Sequence, residues 1–444
     1  MFPLSFAQSN ARIFHLHSLS KSVAIISFAL AAGGAAAAPQ TLTLGEAQQQ
    51  AVAHSYQLTA QDHASNAARE MAVAANQLPD PVLKAGIDNL PVSGQDRLSL
   101  GNDFMTMRRV GVSQELTRAD KRQWRAAILE READKAQAEK AVTTAAIQRD
   151  TAVAWLELYF IQQMATAMSE QTSVARQEIE AAEASYRGGR GSQADVLAAR
   201  SAMLALHDRA SEIAGRLRVA QTKLSRWTGI NGEVTLAGVP ETAKIQLDPA
   251  TLDADFAHHP QIAVINGQED IARAEANLAR ANRRPDWTVE VAFQQRGSAY
   301  SNMVSVGISV PLQWDRKNRQ DRELSAKLAT VEQAKAERNE LLREHVAEAR
   351  AMIAEWQSGR ERMARYAEQL VPLAGERSQA LLVAYRGGKA TLAEVLAARR
   401  SETEVRLQAL SVQMDTARLW AQLNFLFPID GSSSHSAPRN QESR

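Results

Sequence analysis

Asp195 and Glu394 are the acids with the clearest chemical context: each stands three residues after a hydroxyl, Ser192 or Thr391, and six after a Gly-Gly pair. An acid at that spacing closes a capping box, the hydroxyl capping a helix while the carboxylate reaches back to the cap amide. The same two acids, repeated around a symmetric assembly, would form rings able to select cations at a constriction. Tyr186 and Tyr385 precede the glycines with hydroxyls able to hydrogen-bond, and Arg190 and Lys389 follow them with positive charge. Met105 with Met107, and Met164 with Met168, have spacings that could present soft-metal ligands, but packing is the better reading of thioethers in apolar surroundings. His258 and His259 precede Pro260 at a helix start, and His435 sits in a polar tail; neither context makes a metal site. The sequence contains no Ser/His/Asp array, phosphate loop or HExxH motif, so we expect no enzyme, no cofactor and no bound metal.

These residues recur because the chain is duplicated. Tyr186 to Arg200 reappears 199 residues later as Tyr385 to Arg399, with ten identities in fifteen positions. Val110 to Leu116 matches Val306 to Leu312 at an offset of 196, and Ala53 to Leu58 matches Ala257 to Ile262 at 204. A repeat of this kind defines the architecture before single residues are interpreted. The change in offset places an insertion of eight residues in the first half, in the Gly/Asn/Asp/Pro-rich loop Asn89 to Asp103, against a short counterpart from Arg296 to Asn302.

Each half reads as helix, two strands, a very long helix, a tight turn and a return helix. Arg118 to Arg187 contains neither Gly nor Pro, and at about 1.5 Å per residue it spans about 100 Å. Helical pattern of this length implies a coiled coil or helical barrel, and Ala141, Ala145, Ala146 and Ala152 would permit close helix approach. The counterpart from Arg316 to Arg386 carries Gly359, Pro372 and Gly375, which predict a bend or local unwinding in its last third. Gly188-Gly189 and Gly387-Gly388 end the long helices where left-handed backbone is needed, and Ser192 and Thr391 start the return helices as N-caps.

In Trp287 to Gln294, Trp287, Val289, Val291 and Phe293 share one face, with Thr288, Glu290, Ala292 and Gln294 on the other; Val304 to Val310 alternates likewise. The first-half pair, near Leu83 to Asp88 and Thr106 to Leu116, is interrupted by Lys84, Arg108 and Arg109. Strands of about ten residues can cross a bilayer at a tilt. Four cannot close a barrel, and open edges are not tolerated in lipid. Two copies would give eight strands and three would give twelve.

Residues 1–38 combine Arg12, Lys21, an apolar run and small residues, the pattern of a signal peptide. Removing them leaves 49 Lys+Arg against 50 Asp+Glu, a net of −1, which speaks against nucleic acid. The chain has no cysteine, hence no disulfide, thiolate site or lipidated cysteine. We expect a first repeat over 39–230, a linker over 231–248, a second repeat over 249–428 and a disordered tail over 429–444.

The Tyr-x-Gly-Gly tips, the Val-Gly-[Val/Ile]-Ser-x-x-Leu strands and the duplicated order resemble the TolC-type outer membrane efflux proteins. Gln77 to Pro81 and Gly101 to Gln114 are most similar to its heavy-metal branch, the CzcC/CusC type. The resemblance implies a mainly α protein with membrane β, a homotrimer with a 12-stranded outer-membrane barrel and a long periplasmic α-helical barrel. It also implies two partners, a periplasmic adaptor and an inner-membrane pump of RND type, with lipid around the barrel. On this reading Gly188, Gly189, Arg190, Gly387, Gly388 and Lys389 contact the adaptor. Asp195, Glu394, Tyr186 and Tyr385 would line a periplasmic gate. Heavy-metal cations are the expected cargo, with organic drugs or toxins, or a secretion system, as the alternative. A periplasmic adaptor or a coiled-coil scaffold is the alternative of another class, and neither accounts for two strand-bearing hairpins in tandem.

Overall fold

The computed structural model describes residues 41–232 and 234–429. The expected signal peptide, and the tail 430–444 with His435, lie outside them. The chain opens with β1 (Thr41–Leu42), α1 (Leu44–Ala53) and α2 (Tyr56–Ala75), then β2 (Val82–Asp88), β3 (Met107–Leu116), α3 (Ala119–Arg187) and α4 (Gln193–Thr228). β4 (Thr235–Leu236) leads into the second set: α5 (Leu252–Phe256), α6 (Pro260–Ala281), β5 (Trp287–Gln295), β6 (Met303–Ser309), α7 (Gln320–Arg365), α8 (Val371–Arg386) and α9 (Leu392–Asn424). The tandem order is thus realised.

α3 runs unbroken for 69 residues. Its counterpart is interrupted by a π-helical turn, Tyr366–Leu370, immediately before Pro372 enters α8. Proline cannot donate an amide and crowds the carbonyl four residues back, so the wider turn relieves the clash. Gly359 plays a different part from the bend expected there. A Cβ on it would lie 2.5 Å from Thr416 Oγ1, so this glycine lets α7 approach α9.

The largest core gathers Trp155, Phe160, Met164 and Met168 of α3 with Leu224, Phe256, Ile353, Trp356 and Trp420. Three indoles are satisfied by nearby backbone: Trp155 Nε1 donates to Leu42 O at 3.1 Å, Trp356 to Thr242 O at 3.3 Å and Trp420 to Lys244 O at 2.8 Å. These tryptophans fasten the parallel β1–β4 pair and the following linker to the middle of the helices. Met164 and Met168 are core residues.

The other four strands make one antiparallel sheet in the order β2-β3-β5-β6. In its register Leu83 faces Val112, Val112 faces Val291, and Val291 faces Val306. Residues directly opposite share a face, so one continuous apolar surface results. It is exposed: Val304 and Val306 retain 68% and 70% of their accessible surface. The opposite face explains the charges that seemed to weaken the first pair. Lys84 Nζ reaches Glu290 Oε2 at 2.6 Å, Arg109 bonds the other Glu290 oxygen, and Asp88 lies 3.6 Å from Arg109. Arg108 falls on the apolar face at its loop end and donates to Arg296 O. β3 and β5 have the expected length of about ten residues; β2 and β6 have 7 each. The insertion falls between β2 and β3, opposite the short β5–β6 turn.

Candidate functional site: the paired helical tips

The two tips have the same backbone geometry. Gly188 N donates to Ala184 O, Gly189 N to Tyr186 O and Arg190 N to Ser185 O; Gly387, Gly388 and Lys389 repeat this on Val383, Tyr385 and Ala384. Only the second glycine of each pair is left-handed, with φ +69° at both Gly189 and Gly388. A Cβ at either would meet no neighbour, so the demand for glycine there is conformational. Gly191 N also donates to Ser185 O at 3.1 Å, and a Cβ there would lie 3.1 Å from Ser185 Oγ; the repeat-equivalent residues of the second tip are Ala390 and Ala384.

Both capping boxes form. Asp195 Oδ2 accepts from Ser192 N at 2.9 Å and Ser192 Oγ at 2.7 Å, while Asp195 N donates to Ser192 Oγ at 3.1 Å. Glu394 Oε2 accepts from Thr391 N at 2.8 Å and Thr391 Oγ1 at 3.0 Å. The amide and then the hydroxyl of the cap residue hold each carboxyl below its ordinary range, because hydrogen bonds to the charged form favour it. The acids are therefore ionised, with Glu394 exposed and Asp195 half-buried.

The tips are joined within one chain. Ala182, Val196, Ala199 and Leu392 form a small apolar cluster, and Ile179, Tyr385 and Leu396 pack against it. Tyr385 is thus held in the seam between the hairpins, whereas Tyr186 stays 49% exposed. The structure treats these two repeat-related tyrosines differently. Arg190 and Lys389 are exposed at the extreme end.

Sequence reasoning missed a charge network behind the tips. Arg399 of α9 lies 3.4 Å from Glu178 of α3 and 3.3 Å from Glu402, which Arg406 also contacts at 2.6 Å. Burial raises the Glu178 carboxyl, opposed by the Arg399 charge. The repeat equivalent, Arg200, instead bonds Glu183 of its own hairpin. The only advance signal was an arginine ending both copies of the repeat segment; its partners are set by packing. His259 resolves as an N-cap, its Nδ1 accepting from Gln261 N at 3.2 Å. Its ring packs among Phe256, His345 and Phe427.

Two tandem strand-bearing hairpins, one open four-stranded sheet and glycine-turned tips make up a fold shared with solved outer membrane channels. Residues 253–427, essentially the second repeat, match the family described as "Outer membrane efflux protein". The whole fold is similar to CusC, with 14% identity, 86% of this chain and 92% of that one covered, and a TM-score of 0.73. It is similar also to the outer membrane protein VceC from Vibrio cholerae, at 18% identity, 86% and 95% coverage and a TM-score of 0.68. For the Campylobacter jejuni CmeC outer membrane channel the values are 10%, 88%, 87% and 0.71. No curated protein gives a significant sequence match. The resemblance carried by the repeat motifs is borne out by the family match and by the fold.

Proposed function

We propose that three copies of this chain form an outer-membrane exit duct with a long periplasmic extension, conducting solutes passively and catalysing no reaction. The observation that carries this reading is the sheet: one face is mainly apolar and largely exposed, interrupted by Arg108 and Gln114, and the edge strands β2 and β6 each pair on one side only among the described residues. Edges must be paired in lipid, and three four-stranded sheets close to twelve strands, an even number usual for such barrels. Trp287 and Trp314, exposed at the helix-side end of the sheet, suit a membrane interface. The helices carry the matching requirement, since Leu197 and Leu204 on α4, and Leu373 and Val383 on α8, are exposed apolar residues awaiting neighbours.

The tips are the proposed docking surface for a periplasmic adaptor, through Gly188, Gly189, Arg190, Gly387, Gly388 and Lys389. Asp195, Glu394, Tyr186 and Tyr385 are the proposed gate. Energy would come from an inner-membrane pump, of RND type if the likeness to CusC extends to the assembly. That likeness favours heavy-metal cations as cargo, with organic toxins as the competing reading. Reconstitution in planar bilayers tests the duct: trimer-sized protein should give discrete conductance steps, and a detergent-independent soluble monomer without conductance would overturn it. A deletion strain separates the cargo readings, because hypersensitivity confined to hydrophobic drugs would remove the metal assignment.

A further inference from the structure

Three segments far apart in sequence meet where the strands pass into the helices: 115–125 at the start of α3, 280–287 at the end of α6, and 314–322 at the start of α7. Together they hold eleven Lys and Arg against five Asp and Glu, a net of +6 in a chain whose total is +1. Three of the acids, Asp286, Asp321 and Asp120, link the segments, while Asp315 and Glu115 are taken up within their own. Asp286 accepts from Arg118 N at 2.9 Å and Lys121 Nζ at 2.7 Å, Arg283 lies 2.9 Å from Asp321, and Asp315 takes Asn318. The surplus cations are left facing outward. Lys317, Arg319, Arg322 and Arg125 are exposed, and none has an acid within 4.0 Å among the described residues.

α3 and α7 both begin here, but their first turns hold Asp120, Asp321 and Glu323, which offset the positive helix ends, so the outward charge is that of the side chains. A further feature points the same way. Trp314, 89% exposed, and Trp287, 52% exposed, border the apolar sheet face beside the cations. Aromatic rings at the edge of an apolar surface, with long cationic side chains just beyond, match the layering of a phospholipid interface.

We infer that this collar binds the anionic headgroups of phospholipids in the leaflet facing the helices, fixing the depth of the barrel in the membrane. The inference rests on the sheet spanning a bilayer, and it assigns the annular lipid its chemistry: a phosphate-bearing headgroup with net negative charge.

The test uses the full chain in vesicles of phosphatidylcholine mixed with phosphatidylglycerol, either lipid being brominated in turn, with quenching of tryptophan fluorescence as the readout. Trp155, Trp356 and Trp420 are core residues, and Trp227 packs against the same core; these four give a constant background, so the change reports Trp124, Trp287 and Trp314 of the collar. The wild type should show ~5-fold or greater enrichment of phosphatidylglycerol around them, the attraction expected of even one interfacial cation, and the enrichment should fall in high salt. K317Q/R319Q/R322Q, which breaks no ion pair, should lose most of it, while the charge-retaining K317R/R319K/R322K should keep it. Equal quenching by both lipids in the wild type, or undiminished enrichment in the glutamine variant, overturns the inference. Insertion and conductance in pure phosphatidylcholine are read in parallel. Their presence without headgroup preference sinks only the collar, and their absence from every vesicle sinks the membrane-spanning reading itself.

Discussion

Asp195 and Glu394 each satisfy two donors of one cap residue, and this separates two roles that a single substitution would confuse. Ser192→Ala and Thr391→Ala remove the cap hydroxyl but leave the carboxylates, and each should weaken the start of its return helix by about 1 kcal/mol, seen as faster amide exchange in the first turn of α4 or α9. Asp195→Ala with Glu394→Ala should in addition lower cation selectivity in single-channel recording; unchanged selectivity would reduce the acids to caps. A second residue-scale effect concerns His259. Burial, then the neighbouring His345, lowers its pKa from 6.5 to about 4. The unfolded chain therefore binds a proton that the folded chain refuses, and stability should be full above about pH 6.5 and decline towards pH 4. His259→Asn keeps a cap acceptor and removes the titration, so thermal unfolding followed over that window should be flatter in this variant; an equal slope would assign the pH dependence elsewhere.

Among the elements, α7 and α9 depend on a single close approach. Gly359→Ala forces a methyl onto Thr416 Oγ1, and overpacking of this kind costs about 1–3 kcal/mol. Thr416→Ala in the same chain should recover much of that loss, and a double-mutant cycle by chemical denaturation would measure the coupling. Additive losses would mean that the helices part without strain. The π turn before Pro372 shows why the second hairpin is less regular than the first: α3 keeps every amide in register, whereas its counterpart must accommodate a residue without one. Arg399 also acts at this scale, since it joins α9 to α3 and hence one hairpin to the other.

For the whole molecule, the proposed duct rests on a single chain being incomplete by itself. Its sheet has an exposed apolar face and two open edges, and its outer helices bear unpartnered leucines and valines. Val306 lies mid-strand on the apolar face, so Val306→Arg should disfavour insertion by about 2–4 kcal/mol. Ser305→Arg, on the polar face, should be tolerated far better. Comparing the two in urea unfolding from lipid vesicles checks which face meets the membrane; equal penalties would contradict the assignment.

Much of this was legible from local rules. Glycine pairs, hydroxyl-acid spacings and strict alternation act over a few residues, so the tips, the caps and the strands could be read directly, and duplication confirmed each reading with a second copy. Pro372 likewise announced the disturbance before α8. What local rules cannot supply is partnership across distance. Gly359 reads as a flaw in a helix until Thr416 is seen against it, Lys84 and Arg109 read as interruptions until Glu290 lies between them, and Tyr186 and Tyr385 read as equivalents until only one is packed in the seam. The basic collar is dispersed over three segments and becomes a surface only when Asp286, Asp321 and Asp120 draw them together. Sequence determines which backbone conformations are cheap at each position, an energy that depends on near neighbours; which side chains share a dielectric and a partner depends on how those pieces stack, and only the tertiary structure decided that.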